Sequence, residues 1–231
     1  MTNIVTPIIS MVSLNKMVLN LSFFLNEETP NYGGANDVSI QPVNSISKGD
    51  SANTKRLNFS NHSGTHIDYP NHFVNEGKVS TDYDADFWIF NNPYVLNYSA
   101  SENELIDLSD ELLNQIPKET DFLILNTGFW KKRMERVYWE NNPGISPELA
   151  QKLKDRLPSL RVLGADLISI TSFQNRPTGR VTHKIFLNEP SILLIEDMDL
   201  SKLNSIPKKV IALPLLLKGA DGAPINVIAE L

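Results

Sequence analysis

Seven short segments that are apolar, or that alternate between apolar and polar residues, dominate the chain, and each has the length of a β-strand. They cover residues 17–24, 57–61, 121–126, 161–164, 191–195, 210–217 and 225–229. Segments of this kind pack into a sheet that buries at least one face. The chain has 231 residues, which is enough for one well-buried core, so we expect a single sheet-based domain.

Helical signals are fewer. The clearest begins at Ser146, which can cap the helix, and extends to Leu157. Pro147 suits the first helical position, and Leu149 and Leu153 share an apolar stripe with Leu157. Two further candidate helices cover residues 109–116 and 180–188. Strands that alternate with a few helices predict an α/β fold that is rich in strands and carries its helices on the sheet.

Two segments show little periodicity. Residues 26–56 are rich in Asn, Ser, Gly, Asp and Pro and are too long for an ordinary connection, so we expect a loop that carries or covers a site. Residues 130–142 combine charged and aromatic side chains. Two interpretations of this second segment are equally favoured: a lid at the rim of a pocket, or a surface helix with aromatic anchors in the core.

Composition excludes several classes of protein. The net charge is −6, so the chain offers no basic field for nucleic acid or for an anionic membrane surface. It contains no cysteine, which excludes disulfides, thiolate nucleophiles and iron–sulfur clusters. The apolar runs near the N-terminus are too short to cross a bilayer, and no secretory signal pattern is present. We therefore expect a cytoplasmic protein whose partner is a small molecule.

Three of the four histidines lie within residues 62–72, in the sequence HSGTHIDYPNH. Imidazole and carboxylate groups bind Zn²⁺ and Mn²⁺, and a catalytic metal site keeps about three protein ligands. His62, His66 and Asp68 supply such a set. His66 and Asp68 are two residues apart and share one side of an extended strand, and Gly64 permits a turn that brings His62 towards them.

Other interpretations of this segment are weaker. A helix would place His62 and His66 on one face, but Gly64 and Pro70 are poor helix formers. Ordinary hydrogen-bonded side chains at a crowded turn would explain one histidine better than three. Whether His72 also binds is a separate question: four protein ligands from so short a segment would close a catalytic site, so one of the four is better suited to carry protons than to bind the metal.

Residues 62–72 resemble the signature His-x-Gly-Thr-His-x-Asp-x-Pro-x-His of the metal-dependent cyclase family. This family includes bacterial kynurenine formamidases, also called arylformamidases, and isatin hydrolases. Further similar segments are residues 19–34, 126–130, 144–166 and 213–224. The resemblance covers residues 17–231 as one domain and leaves residues 1–16 as an N-terminal extension.

The resemblance implies a swivelling β/β/α domain that assembles into homodimers or homotetramers. It also implies one or two ions of Zn²⁺ or Mn²⁺ per chain. The first ion is held by His62, His66 and Asp68, and Asp68 can bridge to a second ion held by His183 and Glu196. Without the resemblance, Glu196 is interpreted as a solvated strand end.

The activity implied by the resemblance is hydrolysis of the amide C–N bond of an aryl formamide such as N-formylkynurenine, with His72 as the general acid and base. Five aromatic residues are candidates for stacking on the substrate ring: Tyr32, Tyr69, Phe73, Phe129 and Trp130. The chain departs from the family at Ile225 and Asn226, where valine and arginine are frequent, which leaves open any contact of that arginine with an anionic substrate.

Three alternative functions remain. One is a hydrolase or cyclase of a biosynthetic pathway that acts on a cyclic amide or lactone, as isatin hydrolases do. Another is a non-catalytic metal-binding protein that keeps the ligands without turnover. A Ser/His/Asp hydrolase is the poorest alternative, because the chain has no Gly-x-Ser-x-Gly motif.

Overall fold

The computed structural model describes residues 17–35 and 37–231, and within them the chain forms thirteen β-strands and four α-helices. The predicted N-terminal extension, residues 1–16, lies outside the described residues. The strands are β1 (Val18–Asn20), β2 (Ser39–Asn44), β3 (Thr54–Asn58), β4 (His66–Asp68), β5 (Ile89–Phe90), β6 (Pro93–Asn97), β7 (Leu105–Ile106), β8 (Phe122–Asn126), β9 (Gly144–Ile145), β10 (Val162–Ala165), β11 (Leu193–Glu196), β12 (Lys209–Pro214) and β13 (Gly222–Glu230). The helices are α1 (Asp110–Leu113), α2 (Val137–Glu140), α3 (Pro147–Arg156) and α4 (Arg176–Leu187).

Nine strands form one mixed sheet in the order β5-β12-β13-β4-β11-β10-β8-β6, with β1 added to β13. Strands β6, β8, β10 and β11 are parallel to one another, whereas β4 is antiparallel to both of its neighbours, β11 and β13. The short strand β4 therefore lies in the middle of the sheet. Its position brings the histidine-rich segment next to the ends of β11 and β13.

The parallel strands supply much of the core. Phe122, Leu123, Ile124 and Leu125 of β8 are each at most 2% exposed, and the three apolar residues of β11 are fully buried. A strand that is covered on both faces needs this continuous apolar pattern rather than an alternating one. All seven strand-length segments predicted from the sequence contain or overlap an observed strand.

The predicted capped helix is confirmed as α3. The Ser146 hydroxyl accepts a hydrogen bond from the backbone N–H of Leu149 at 3.0 Å, and the stripe that includes Leu153 and Leu157 is buried. The predicted helix at residues 109–116 is shorter and ends at Leu113. The helix expected at residues 180–188 begins four residues earlier, because a proline in the first turn is compatible with helix entry and extends it back to residue 176.

The prediction of one long loop at residues 26–56 was wrong. Strands β2 and β3 pair as an antiparallel hairpin within and beyond this range, and a 3₁₀ turn (Tyr32–Gly34) precedes them. The polar composition concealed these strands because the side chains of β3 are exposed. Residues 130–142 contain the end of a 3₁₀ turn and α2, with Tyr138 fully buried, which agrees with the interpretation as a helix anchored in the core.

Helices α3 and α4 pack against each other, and α4 also contacts β11. The predicted class is therefore confirmed: a mixed α/β fold that is rich in strands and carries a few helices on its sheet. No helix within the described part of the chain has the length and apolar character that a membrane crossing requires.

Candidate metal centre

His66 and Asp68 begin and end β4, and their side chains meet on one side of the strand, where His66 Nε2 lies 3.5 Å from Asp68 Oδ1. Gly64 has a φ of +66°, a left-handed conformation that favours glycine. The turn that contains it returns the chain so that His62 Nδ1 lies 2.9 Å from Asp68 Oδ1. Strand and turn together therefore produce the local geometry that the spacing predicts.

Two further side chains reach the same carboxylate from distant parts of the sequence. Glu196 ends β11 and pairs in register with His66 of β4. His183 lies on α4, and its Nε2 atom is 3.6 Å from Asp68 Oδ2 and 3.4 Å from Glu196 Oε1. His66 Nε2 is 3.4 Å from Glu196 Oε2. Asp68 therefore lies between the pair His62 and His66 and the pair His183 and Glu196.

Hydrogen bonds fix the orientation of two of these imidazole rings. His66 Nδ1 donates to the backbone carbonyl of Gly64 at 2.8 Å, and His183 Nδ1 donates to that of Gly179 at 2.9 Å. The Thr171 hydroxyl also lies 3.0 Å from His183 Nδ1. In both rings Nε2 is therefore the nitrogen that faces the carboxylates, and metal-binding histidines are commonly oriented in this way.

The donor set fits a divalent cation such as Zn²⁺ or Mn²⁺. In the group His62, His66 and Asp68, and again in the group Asp68, His183 and Glu196, one ligand atom from each residue lies within 4.8 Å of the others. Four of these five residues are at most 5% exposed. Buried nitrogen and oxygen donors without sulfur suit these two metals.

The histidine and carboxylate side chains of the cluster shift one another's pKa values. Burial lowers the pKa of His66, but the hydrogen bond to Glu196 and the charge of Asp68 outweigh it and raise the pKa to about 9. Burial also lowers the pKa of His183, but its hydrogen bonds to Asp68 and Glu196 outweigh this effect and raise the pKa to about 10. Burial raises the pKa of Glu196, but its hydrogen bonds to His183 and His66 lower it to about 2. A metal ion must therefore compete with protons for these nitrogens.

The chain that follows Glu196 is fixed by a buried ion pair. Arg133 Nη2 lies 2.7 Å from Asp197 Oδ2, and the Tyr138 hydroxyl donates to Asp197 Oδ1 at 2.7 Å. Arg133 and Tyr138 belong to the segment at residues 130–142. That segment therefore holds the end of β11 in place from inside the core.

His72 has a carboxylate partner that the sequence reasoning missed. His72 Nδ1 lies 2.9 Å from Asp221 Oδ2, which also lies 3.1 Å from His62 Nε2. Burial raises the pKa of Asp221, but the hydrogen bonds from His72 and His62 outweigh this effect and lower it to about 2. His62, His72 and Asp221 each offer one ligand atom within 4.8 Å of the others, a spacing that would also let His72 bind a metal. The assignment of His72 to proton transfer therefore stays a prediction. The sequence did offer a signal for this partner, because Asp221 lies in the segment 213–224 that resembles the family.

Gly222 provides the space for the His62 ring. It pairs with Asp68 across β13 and β4, and a Cβ atom placed on it would lie 2.2 Å from His62 Cε1. Any larger residue would displace the imidazole. The close approach of β13 to His62 therefore requires glycine.

The cluster forms the floor of a cavity of about 380 Å³. Tyr32 and Phe73, two of the five aromatic residues predicted to contact substrate, line this cavity. The Phe73 ring stacks on His183 with the ring centroids 4.3 Å apart. Both aromatic side chains are therefore placed where a bound ring would meet them.

The other three predicted aromatic residues lie outside the described cavity lining. Tyr69 is fully buried and packs against Tyr83, with the ring centroids 5.5 Å apart. Phe129 stacks on the buried Tyr138, and Trp130 is partly buried against the core. Their positions indicate packing roles.

Two arginines line the cavity and were not singled out from the sequence. Arg176 and Arg180 lie on α4, four residues apart, and His183 follows at the next turn of the same helix. This spacing places all three on one helix face. The shared helix face of the two arginines was not recognised, because the sequence predicted a helix that begins only at Arg180. Asn226, at the family's frequent arginine position, lies outside this cavity.

The chain has a mixed α/β fold, and two adjacent groups of histidine and carboxylate side chains line its cavity. These features define a candidate metalloenzyme. The family model described as "Putative cyclase" matches residues 19–172. The chain therefore belongs to the cyclase family.

Curated relatives extend the match. The kynurenine formamidase of Geobacillus thermodenitrificans is 29% identical over 217 residues, which cover 90% of this chain and 94% of the relative. Cyclase-like protein 1 of Oryza sativa subsp. japonica is 27% identical over 222 residues, which cover 91% of this chain and 77% of the relative. These relatives support a metal-dependent hydrolase of the cyclase family.

A solved structure confirms the fold. Isatin hydrolase A from Labrenzia aggregata superposes with a TM-score of 0.77 at 20% identity, over 94% of each chain. The swivelling β/β/α architecture that the resemblance implies is therefore the fold of this chain.

Proposed function

We propose that the protein is a metal-dependent amidohydrolase that cleaves the C–N bond of an aryl formamide such as N-formylkynurenine. The observation that carries this proposal is the shared position of Asp68 between two ligand groups at the floor of a cavity, with His72 beside them. The similarity to kynurenine formamidases supports the choice of substrate.

In this proposal His62, His66, Asp68, His183 and Glu196 hold one or two ions of Zn²⁺ or Mn²⁺. When bound, such an ion polarises a substrate carbonyl and lowers the pKa of a water molecule. Hydrolysis adds the oxygen of water to the formyl carbon and breaks the C–N bond, which gives formate and the free arylamine.

His72 moves the proton in this reaction. Its Nδ1 atom is engaged by Asp221, and its Nε2 atom has no hydrogen-bond partner among residues 17–35 and 37–231. Nε2 accepts a proton from water and returns it to the leaving nitrogen, a role that suits an imidazole near neutral pH. Asp221 holds the ring in the orientation that leaves Nε2 available.

The walls of the cavity position the substrate. Phe73 and Tyr32 present aromatic surfaces on which an aryl ring can stack, and such contacts contribute about 0.5–1.5 kcal/mol beyond the area they bury. The cavity volume of about 380 Å³ lies in the range of small-molecule sites. Assembly into homodimers or homotetramers is part of the same proposal.

The test is the steady-state rate of kynurenine release from N-formylkynurenine by metal-loaded protein, compared with the same preparation after chelation. We expect a kcat/KM of roughly 10⁴ M⁻¹s⁻¹ or more, lost on chelation and restored by Zn²⁺ or Mn²⁺. A negligible rate in protein that holds metal would contradict the proposal. Isatin is then the next substrate to test, and inactivity on both would favour a non-catalytic metal-binding protein.

A further inference from the structure

The lining of the cavity carries two arginine side chains in a protein whose net charge is −6. Arg176 and Arg180 line the cavity together with Tyr32. The Tyr32 hydroxyl is buried and has no hydrogen-bond partner within the described residues. A buried hydroxyl normally has a hydrogen-bond partner. A ligand bound in the cavity beside these three side chains would supply the partner that Tyr32 lacks.

Arg176 is held in an unfavourable place for a cation. It is the first residue of α4, and the first turn of that helix contains no acidic residue. The N-terminus of a helix carries partial positive charge, so a guanidinium there raises the local potential further. The Arg176 guanidinium stacks on Phe173 at 4.6 Å, and Phe173 packs edge-on against Tyr32 with the ring centroids 5.3 Å apart.

Neither guanidinium is neutralised by a carboxylate. Within residues 17–35 and 37–231, Arg176 and Arg180 form no ion pair. Burial and the charge of Glu196 raise the pKa of Tyr32, whereas the charges of Arg176 and Arg180 lower it. Both cations are therefore within electrostatic reach of the Tyr32 hydroxyl.

We propose that Arg176 and Arg180, with the Tyr32 hydroxyl as a neutral donor, bind a carboxylate of the substrate. The substrates of the proposed hydrolysis are then aryl amides that carry a carboxylate group, in preference to neutral ones. Guanidinium groups suit this task because their planar donors match a carboxylate, and charge-assisted hydrogen bonds are about twice as strong as neutral ones. This inference rests on the proposed function, since it names the substrate class of that site.

The experiment uses a matched pair of substrates: N-formylkynurenine and the analogue in which its carboxylate is a primary carboxamide. In metal-loaded wild-type protein, kcat/KM should be roughly 10- to 100-fold higher for the carboxylate, the worth of one or two charge-assisted hydrogen bonds. Arg176→Gln and Arg180→Gln should each reduce that preference, mainly by raising KM for the carboxylate substrate. Tyr32→Phe should reduce it by about two- to fivefold.

Lys184→Gln is the matched control, because it removes one cation from the exposed part of the same helix and outside the cavity lining. It should leave the preference unchanged. A loss in this variant equal to that of the arginine variants would mean that general charge, rather than contact, sets the preference, and would overturn the proposal.

Binding separates failure of the subsite from failure of the proposed function. Kynurenine and kynurenine carboxamide are titrated calorimetrically into the metal-loaded protein and its variants, which requires no turnover. A preference for kynurenine that disappears in the arginine variants supports the subsite even if no formamide is hydrolysed. Equal affinities in the wild type, or a preference that survives both substitutions, would overturn the subsite and leave the hydrolase proposal standing.

Discussion

The Nδ1 atom of His72 lies 2.9 Å from the Oδ2 atom of Asp221, two residues that are 149 positions apart in sequence. This contact joins the histidine-rich turn to the start of β13 and engages one nitrogen of the ring. Asp221 is itself held by Asn61, whose side-chain amide donates to Oδ1 at 2.8 Å. A fixed carboxylate that orients an imidazole is a common device for a general base.

We therefore expect Asp221→Asn to lower kcat/KM by roughly 10- to 100-fold, the usual range for outer partners of catalytic and metal-binding groups. The assay is run at saturating metal, because Asp221 also contacts His62. A kcat/KM equal to that of the wild type would contradict this positioning role.

Substitution of His72 tests its separation from the metal. His72→Ala should retain a metal content near that of the wild type, while kcat falls by about two to four powers of ten, the usual contribution of a general acid or base. Metal content by atomic absorption and turnover of N-formylkynurenine are measured on the same preparation. Loss of metal would instead make His72 a ligand in the group it forms with His62 and Asp221.

Asp68 is the residue shared by the two ligand groups, so its substitution should have the largest effect on metal. We expect Asp68→Asn to lose bound metal and to reduce kcat/KM by more than about 100-fold, beyond the range of an outer partner. Asp86→Asn, at an exposed aspartate outside the cavity, is the control and should retain both. Full activity of the Asp68 variant would contradict the whole site assignment.

The part of the site that sequence could predict is the part that is local. His66 and Asp68 share a strand face because two residues is the repeat of a strand, and Gly64 marks the turn that returns His62. Apolar segments identified β8, β10 and β11 because strands buried on both faces carry uninterrupted hydrophobic runs.

The remainder depends on contacts that span the whole chain. Asp221 and Glu196 reach the cluster only because β4 pairs with both β11 and β13. No local period encodes that pairing, so Glu196 was predicted only through the family resemblance and Asp221 was missed. Strand β2 and the first part of β3 were missed since these exposed strands carry few apolar residues, whereas the end of β3 overlaps the predicted segment 57–61. Arg176 was missed because helix ends are less strongly encoded than helix centres.

Gly222 offers a test of close packing at the ligands. Gly222→Ala should lower the affinity for metal and the activity, because its new methyl group would lie 2.2 Å from His62 Cε1 and must displace the ring. Gly219→Ala is the control: it meets nothing within 4 Å, although its φ of +68° carries a strain of its own. Equal metal affinity in the two variants, measured by competition with a chelating dye, would argue against a role for His62.

The pH dependence of stability follows from the coupled imidazoles. The folded-state pKa values of His66 and His183 are raised to about 9 and about 10, above the roughly 6.5 of an unfolded chain. Their contribution to the stability of metal-free protein is fully present below about pH 6.5 and is lost as the pH rises through the folded values. The thermal midpoint of chelated protein should therefore fall between about pH 6.5 and pH 10.

A metal ion binds the deprotonated rings, so the increase in midpoint caused by Zn²⁺ or Mn²⁺ should grow over the same interval. Thermal melts of chelated and metal-loaded protein at several pH values measure both trends. The Asp68→Asn variant should show no increase with metal at any pH. A metal-induced increase that shrinks as the pH rises would mean that protons and metal do not compete for His66 and His183, and these two residues would then have to be removed from the ligand set.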